Sequence, residues 1–270
     1  ETQNHMTTLA ARAVAILCTP GAAEKSTLTR LLAADWQHGR VATIGSAKPP
    51  MRPARPDRPH LMEPGAMPRR SKAGMKGRIA LLHALAHIEL GAIDLAWDII
   101  ARFAHLDLPR DFYDDWVQVA MDEADHFDAL EEHLQKLGAA YGDLPAHDGL
   151  WQAAIKTSDD LMNRLALVPM TLEARGVDTT PISMQELERH GHSELLPALQ
   201  KILDDEILHV KAGTKWFKYL CAKEGQEPVG TYRRRLSAFF PKGPKPPFND
   251  SARLQAGQTP DYYDWSQPLP

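Results

Sequence analysis

Two glutamates stand at nearly equal distances ahead of two copies of one motif, and this restricts the chain more than any other feature. Glu89 precedes Glu123-Ala-Asp-His126 and Glu173 precedes Glu206-Ile-Leu-His209, with intervals that differ by a single residue. With 14 glutamates and 12 histidines in 270 residues, chance alone supplies roughly 0.6 Glu-x-x-His spacings. One copy would therefore mean little, and the repeat with its matched glutamates carries the weight. On an α-helix, residues three apart share a face, so each motif aims a carboxylate and an imidazole at one point. A hard oxygen donor beside a borderline nitrogen donor suits iron, manganese or zinc better than calcium or magnesium.

The intervals also predict how the helices run. A helix over Met75 to Phe103 carries Leu82, Leu85, Ala86, Glu89, Ile93, Ala96 and Ile100 at spacings of three and four, so Glu89 lies within an apolar stripe. A buried carboxylate with no partner costs several kcal/mol, which calls for a cation there. Leu106-Asp-Leu-Pro109 supplies a turn, and a second helix from Asp111 to Leu137, stopped by Gly138, brings Glu123 back to about the height of Glu89. Residues 139–149 are long enough to return along a bundle side. A third helix over Leu150 to Ala174 is bent at Pro169, and the chain breaks at Arg175-Gly176. A short helix over Ile182 to Arg189 leads to a fourth long helix, Ser193 to Ala222, with Leu196, Leu199, Ile202, Leu203, Glu206, His209 and Val210 on its inner face.

The predicted fold is all-α: a ferritin-like four-helix bundle over residues 75–225 with one long crossover. Residues 6–74 hold two short helices, Thr8 to Leu17 and Ala22 to His38, then a proline-rich arm. Lys48 to Arg78 contains nine basic residues and two acids, Asp57 and Glu63, and is read as a strap over the bundle surface rather than an RNA contact. Residues 226–270 form an extended tail pinned by Phe239, Phe240, Phe248, Tyr262, Tyr263 and Trp265. Residues 1–5 are read as an expression remnant. A net charge of −4 gives no general case for nucleic acid or an anionic membrane. Thr8 to Cys18 is too short to span a bilayer and lacks a basic flank. Cys18 and Cys221 make no metal or redox spacing and read as buried thiols of a reducing cytoplasm.

The expected metal ligands are Glu89, Glu123, His126, Glu173, Glu206 and His209, with Glu123 and Glu206 leaning between two ions and Glu89 and Glu173 terminal. Asp122 and Asp205, one before each motif, are placed to accept the outer N–H of a ligand histidine. His83 and His87 read as satisfied polar groups rather than a second metal face. Trp216, Tyr219, Tyr113 and Trp116 read as packing residues.

The run Leu165-Ala-Leu-Val-Pro-Met-Thr-Leu-Glu-Ala-Arg-Gly176, the stretch Asp143-Leu-Pro-Ala-His-Asp-Gly-Leu-Trp151 and Asp205-Glu-Ile-Leu-His-Val210 resemble a bacterial ferritin-like family known mainly as a domain of unknown function. The resemblance runs from the N-terminal helices through Pro247-Phe-Asn249 and Ala252-Arg-Leu-Gln-Ala-Gly257. More distantly, the ligand pattern is similar to that of tRNA-hydroxylating di-iron monooxygenases, rubrerythrins and ferritins. These resemblances imply a bundle holding two metal ions, iron first, with manganese or a mixed pair as alternatives. The expected function is an O2-activating oxidoreductase acting on a small molecule or RNA, with an external electron donor, no membrane and room for a homodimer. The competing expectation is a ferritin-like iron-handling protein with no organic substrate.

Overall fold

The computed structural model describes residues 8–68 and 74–266. Residues 1–5 and the arm cations Arg69, Arg70 and Lys72 lie outside the described residues. Regular structure among them is helical apart from two two-residue strands, so the chain is all-α. It divides into two compact units, Glu1–Ile155 and Lys156–Pro270.

The first unit is built on two long helices, α3 (Gly74–Arg102) and α4 (Arg110–Lys136). Their bounds fall within a residue or two of the sequence expectation, because the apolar stripes that define them are the buried faces. Leu82, Ala86, Glu89, Ile93, Ala96 and Ile100 are all buried on α3, as are Trp116, Ala120, Glu123, Phe127, Leu130 and Leu134 on α4. Gly138, at φ +73°, stops α4 in the left-handed conformation that costs only glycine nothing. Two shorter helices complete the core: α1 (Leu9–Leu17) packs on α3 and α2 (Ala22–Gln37) on α4. Thr8 caps α1 through Ala11 N–H at 3.3 Å, and buried Trp36 donates to Asp114 at 2.7 Å.

The basic arm runs along this unit. Its strand β1 (Leu61–Met62) pairs in parallel with β2 (Ala146–His147), just before α5 (Gly149–Lys156). Trp151 donates to Met51 O and Arg102 to Pro50 O, both at 3.0 Å, so side chains of the core hold the arm by its backbone. By length and composition α3 could cross a membrane, but 67% of its apolar window is buried in protein, and the helix carries three buried acids, Glu89, Asp94 and Asp98. It is a core helix.

In the second unit the expected third helix is recast. Instead of one rod over 150–174, α6 (Leu161–Leu167) starts afresh with Asp160 as its cap, accepting from Asn163 N–H at 2.9 Å. The bend expected at Pro169 is a π-helical segment, Val168–Glu173. Nor does the chain stop at Arg175-Gly176: α7 runs unbroken from Ala174 to Arg189, through Gly176 and Pro181. Pro181 has no N–H for the Val177 carbonyl, and Asn249 Nδ2 donates to that carbonyl at 3.3 Å. The proline therefore leaves no orphaned acceptor.

A short 3₁₀ turn, Ser193–Leu195, leads into α8 (Leu196–Lys223). Ala174 and Val177 of α7 pack with Leu203 and Val210 of α8 and with Ala252 and Ala256 of the tail. That tail is not simply extended. It folds into α9 (Pro228–Ser237), α10 (Asp250–Gln255) and α11 (Pro260–Tyr263), anchored less by the expected Phe239 and Phe240 than by Tyr232, Arg253, Tyr262 and Tyr263, all buried. Arg253 grips Asp178 of α7 through two hydrogen bonds of 2.7 and 2.8 Å, with both side chains out of solvent. Cys221 is buried as expected, whereas Cys18, at the end of α1 beyond its apolar stripe, is exposed.

Candidate metal centre

Each Glu-x-x-His sits on a long helix at the face that packs inward, for the reason the sequence gives: apolar neighbours at three and four residues pull that face into the core. In the first unit, α3 brings Glu89 against Glu123 and His126 of α4. All three are at most 2% exposed. One donor atom from each lies within 4.8 Å of the others, a separation that a single ion could bridge.

His126 presents Nδ1 to both carboxylates, at 3.2 Å from Glu89 Oε2 and 3.4 Å from Glu123 Oε2. Burial, followed by the Glu123 carboxylate and a hydrogen bond to it, pushes Glu89 up to about 8, against which the His126 contact works only partly. Two carboxyl groups crowded together away from water cannot both hold their charge without a cation, so they keep a proton instead. The donor set fits a divalent metal on these grounds. Its oxygens and imidazole nitrogen match the preference of iron, manganese and zinc, and a bound cation would remove the repulsion that raises Glu89.

The second unit repeats the motif on α8. Glu206 and His209 are both buried one turn apart, with His209 Nδ1 at 3.9 Å from Glu206 Oε2. Glu173 is half-buried at the last position of the π-helical segment. That segment is held in shape from several sides. Thr171 donates its hydroxyl to Ala166 O at 2.7 Å, and Tyr232 and Gln258 donate to Met170 O at 3.4 and 2.9 Å. On α8, Gly213 lets the segment approach, since a Cβ there would lie 2.6 Å from Pro169. Wide π turns of this kind recur at functional sites, where they re-aim a side chain.

Of the two motif-preceding aspartates, Asp122 accepts from Gln118 at 2.8 Å and Asp205 pairs with Lys201. Each lies four residues before its histidine, on the same helical face. His83 and His87 are engaged elsewhere. His83 Nε2 accepts from Gly142 N–H at 2.9 Å. His87 Nε2 donates to His147 O at 2.9 Å, which leaves its Nδ1 to accept from the Tyr141 hydroxyl at 2.8 Å. Trp216, Tyr113 and Trp116 are buried, whereas Tyr219 is 38% exposed.

The family described as "Protein of unknown function (DUF455)" matches residues 18–264 of this chain. The chain belongs to the DUF455 family. An uncharacterized protein of Haemophilus influenzae is 40% identical over 215 residues, an alignment that covers 78% of this chain and 75% of the relative. No solved structure matches the chain. The DUF455 match takes in both donor sets and the tail residues that brace the π-helical segment.

Sequence reading missed the buried charges around α3. Lys25 of α2 reaches Asp94 at 2.5 Å, Arg55 of the arm reaches the same carboxylate at 3.2 Å, and Arg102 chelates Asp98 at 2.7–3.1 Å. The signal was available: two aspartates inside a long apolar helix require cations from elsewhere. Arg52 pairs with Asp148. Two arm cations are thus engaged with this unit's own carboxylates.

Proposed function

We propose that this protein binds two metal ions, one on Glu89, Glu123 and His126 and one on Glu173, Glu206 and His209, as a ferritin-like di-iron carboxylate oxidoreductase that uses O2 on an organic substrate. The observation that carries the reading is the Glu89–Glu123–His126 cluster: two carboxyls and an imidazole Nδ1, buried together, with Glu89 unable to ionise normally. The repeated motif supplies a second set of the same chemistry on α8. A reduced iron pair, when bound, supplies electrons for O2 reduction.

The chain's own groups have defined tasks in this reading. With a cation bound, Glu89 and Glu123 would both be held as carboxylates. His126, whose Nδ1 faces both of them, and His209 would supply the imidazole donors, while Asp122 and Asp205, held here by Gln118 and Lys201, would receive the outer N–H and fix the tautomer. The apolar neighbours of Glu89 on α3 keep bulk water away from the carboxylates. Over a full hydroxylation, one O2, two electrons from an external donor and two protons convert a C–H bond to C–OH and release one water.

Metal analysis of freshly purified protein should find close to two equivalents of iron. Anaerobic reduction followed by O2 should change the absorbance of the bound iron within one turnover, and the oxidised protein should show the magnetic coupling of two adjacent ferric ions. Iron held as two uncoupled ions, or held with no O2-dependent change, would defeat the oxidoreductase reading. A large hollow assembly on sizing would favour iron handling instead.

A further inference from the structure

The first unit has a second polar site that the metal centre does not use. A small cleft of about 80 Å³ opens beside α3, walled by Arg55 of the arm, Ala84 and His87 of α3, His147 of β2 and Trp151 of α5. None of Glu89, Glu123 and His126 lines it.

Two observations bear on what it takes. First, Arg55 is fixed and incompletely used. The residue before it is tied by Ala54 N–H to Leu17 O at 2.7 Å and by Lys25 Nζ to Ala54 O at 3.1 Å. Its Nη2 pairs with Asp94, but Nη1 is buried with no hydrogen-bond partner among the described residues, although the side chain is 17% exposed and reaches the cleft. Leaving a guanidinium N–H unmet away from water is costly.

Second, another donor shares the wall. His147 Nδ1 accepts from Gly149 N–H at 3.2 Å, so Nε2 carries the proton, and it has no acceptor among the described residues.

We propose that this cleft binds a small oxyanion, the carboxylate or phosphate group of an organic molecule, with Arg55 as the charged clamp and His147 Nε2–H as a second donor. A guanidinium with an unmet N–H is suited to an oxyanion. The apolar body of the ligand would lie against Ala84 and Trp151.

Calorimetric titration of the full chain with inorganic phosphate and, separately, malonate tests this, at constant ionic strength against chloride. Saturable binding of either is expected, the tighter one identifying the class, and chelation of bound metal should leave it unchanged. Arg55→Lys keeps a charge for Asp94 but loses the forked edge, and should weaken binding at least tenfold. Ala84→Phe leaves Arg55 intact and fills the cleft from the facing wall, so it should remove binding even if the arginine variant does not fold. The proposal is overturned if neither anion saturates, if Ala84→Phe binds like the wild type, or if metal removal abolishes binding, which would put the anion on the metal centre.

Discussion

Replacing Glu89 with glutamine should stabilise the metal-free protein while destroying its ability to hold metal at that position. Glutamine has the shape of a protonated glutamate and keeps a donor for Glu123. The magnitude follows from proton linkage. Glu89 titrates near 4.5 in an unfolded chain and is raised to about 8 in the fold, by burial first and by Glu123 next. Its contribution is therefore complete below pH 4.5 and is lost as pH rises toward 8, because the folded state must take up a proton that the unfolded state has released. At pH 7 the cost is roughly 3 kcal/mol, at about 1.4 kcal/mol per pH unit. Glu89→Gln escapes it. Denaturant unfolding of chelator-treated protein should show the variant ahead by roughly 3 kcal/mol at pH 7, about 6–12 °C in midpoint, with the lead shrinking to roughly 1 kcal/mol at pH 5.5. Iron-loaded samples should rank the other way. A metal-free variant no more stable than the wild type at pH 7, or a lead that does not vary with pH, would refute the electrostatic account of the cluster.

His87 should give the opposite pH dependence. Burial, with Arg55 next, holds it down to about 4, so its contribution is intact above pH 6.5 and is lost as pH falls toward 4. Wild type should lose roughly 2 kcal/mol by pH 5 relative to His87→Gln, which can make both hydrogen bonds without titrating; equal pH profiles in denaturant melts would contradict this. Asp178→Ala strands the Arg253 guanidinium in the interior and should cost about 3–5 kcal/mol in chemical denaturation, whereas a loss below 1 kcal/mol would show that the pair is not buried. Gly213→Ala, which in an ordinary helix gains about 1 kcal/mol, should instead lower the thermal midpoint, because the new methyl meets Pro169 at 2.6 Å.

The long helices were legible because one signal set them: apolar residues at three and four, with Glu89, Glu123, Glu206 and His209 riding in the same stripes. Sequence alone also brought Glu89 to the height of Glu123 through a seven-residue turn, and the structure places those side chains together. What it could not show was the course of the chain around Glu173. Pro169 read locally as a bend and Gly176 as a stop, and nothing within a few residues announces that Asn249, some seventy residues on, will satisfy the carbonyl that Pro181 abandons. Lys25 and Arg55 were hidden for the same reason: their partner Asp94 lies far along the chain, and pairing across such distances has no period.

The irregular positions of the second unit lie close to one another. Within the stretch from Pro169 to Pro181 the helix widens, carries a glycine and contains two prolines, each a choice that weakens a helix. Each is answered from outside: Tyr232 and Gln258 donate to the Met170 carbonyl of the wide turn, Asn249 donates to that of Val177, and Gly213 clears the space for Pro169. A helix needed only to fill a core could have been built from alanine and leucine, with none of these partners. The tail then has a purpose beyond covering apolar surface, since it carries Tyr232, Asn249 and Gln258. What the arrangement preserves is a non-α backbone immediately before Glu173, and with it the aim of that carboxylate. A regular helix through the same residues would turn Glu173 by about 100° for each residue of register removed, so the wide turn and its distant braces act as the positioning device for one expected ligand.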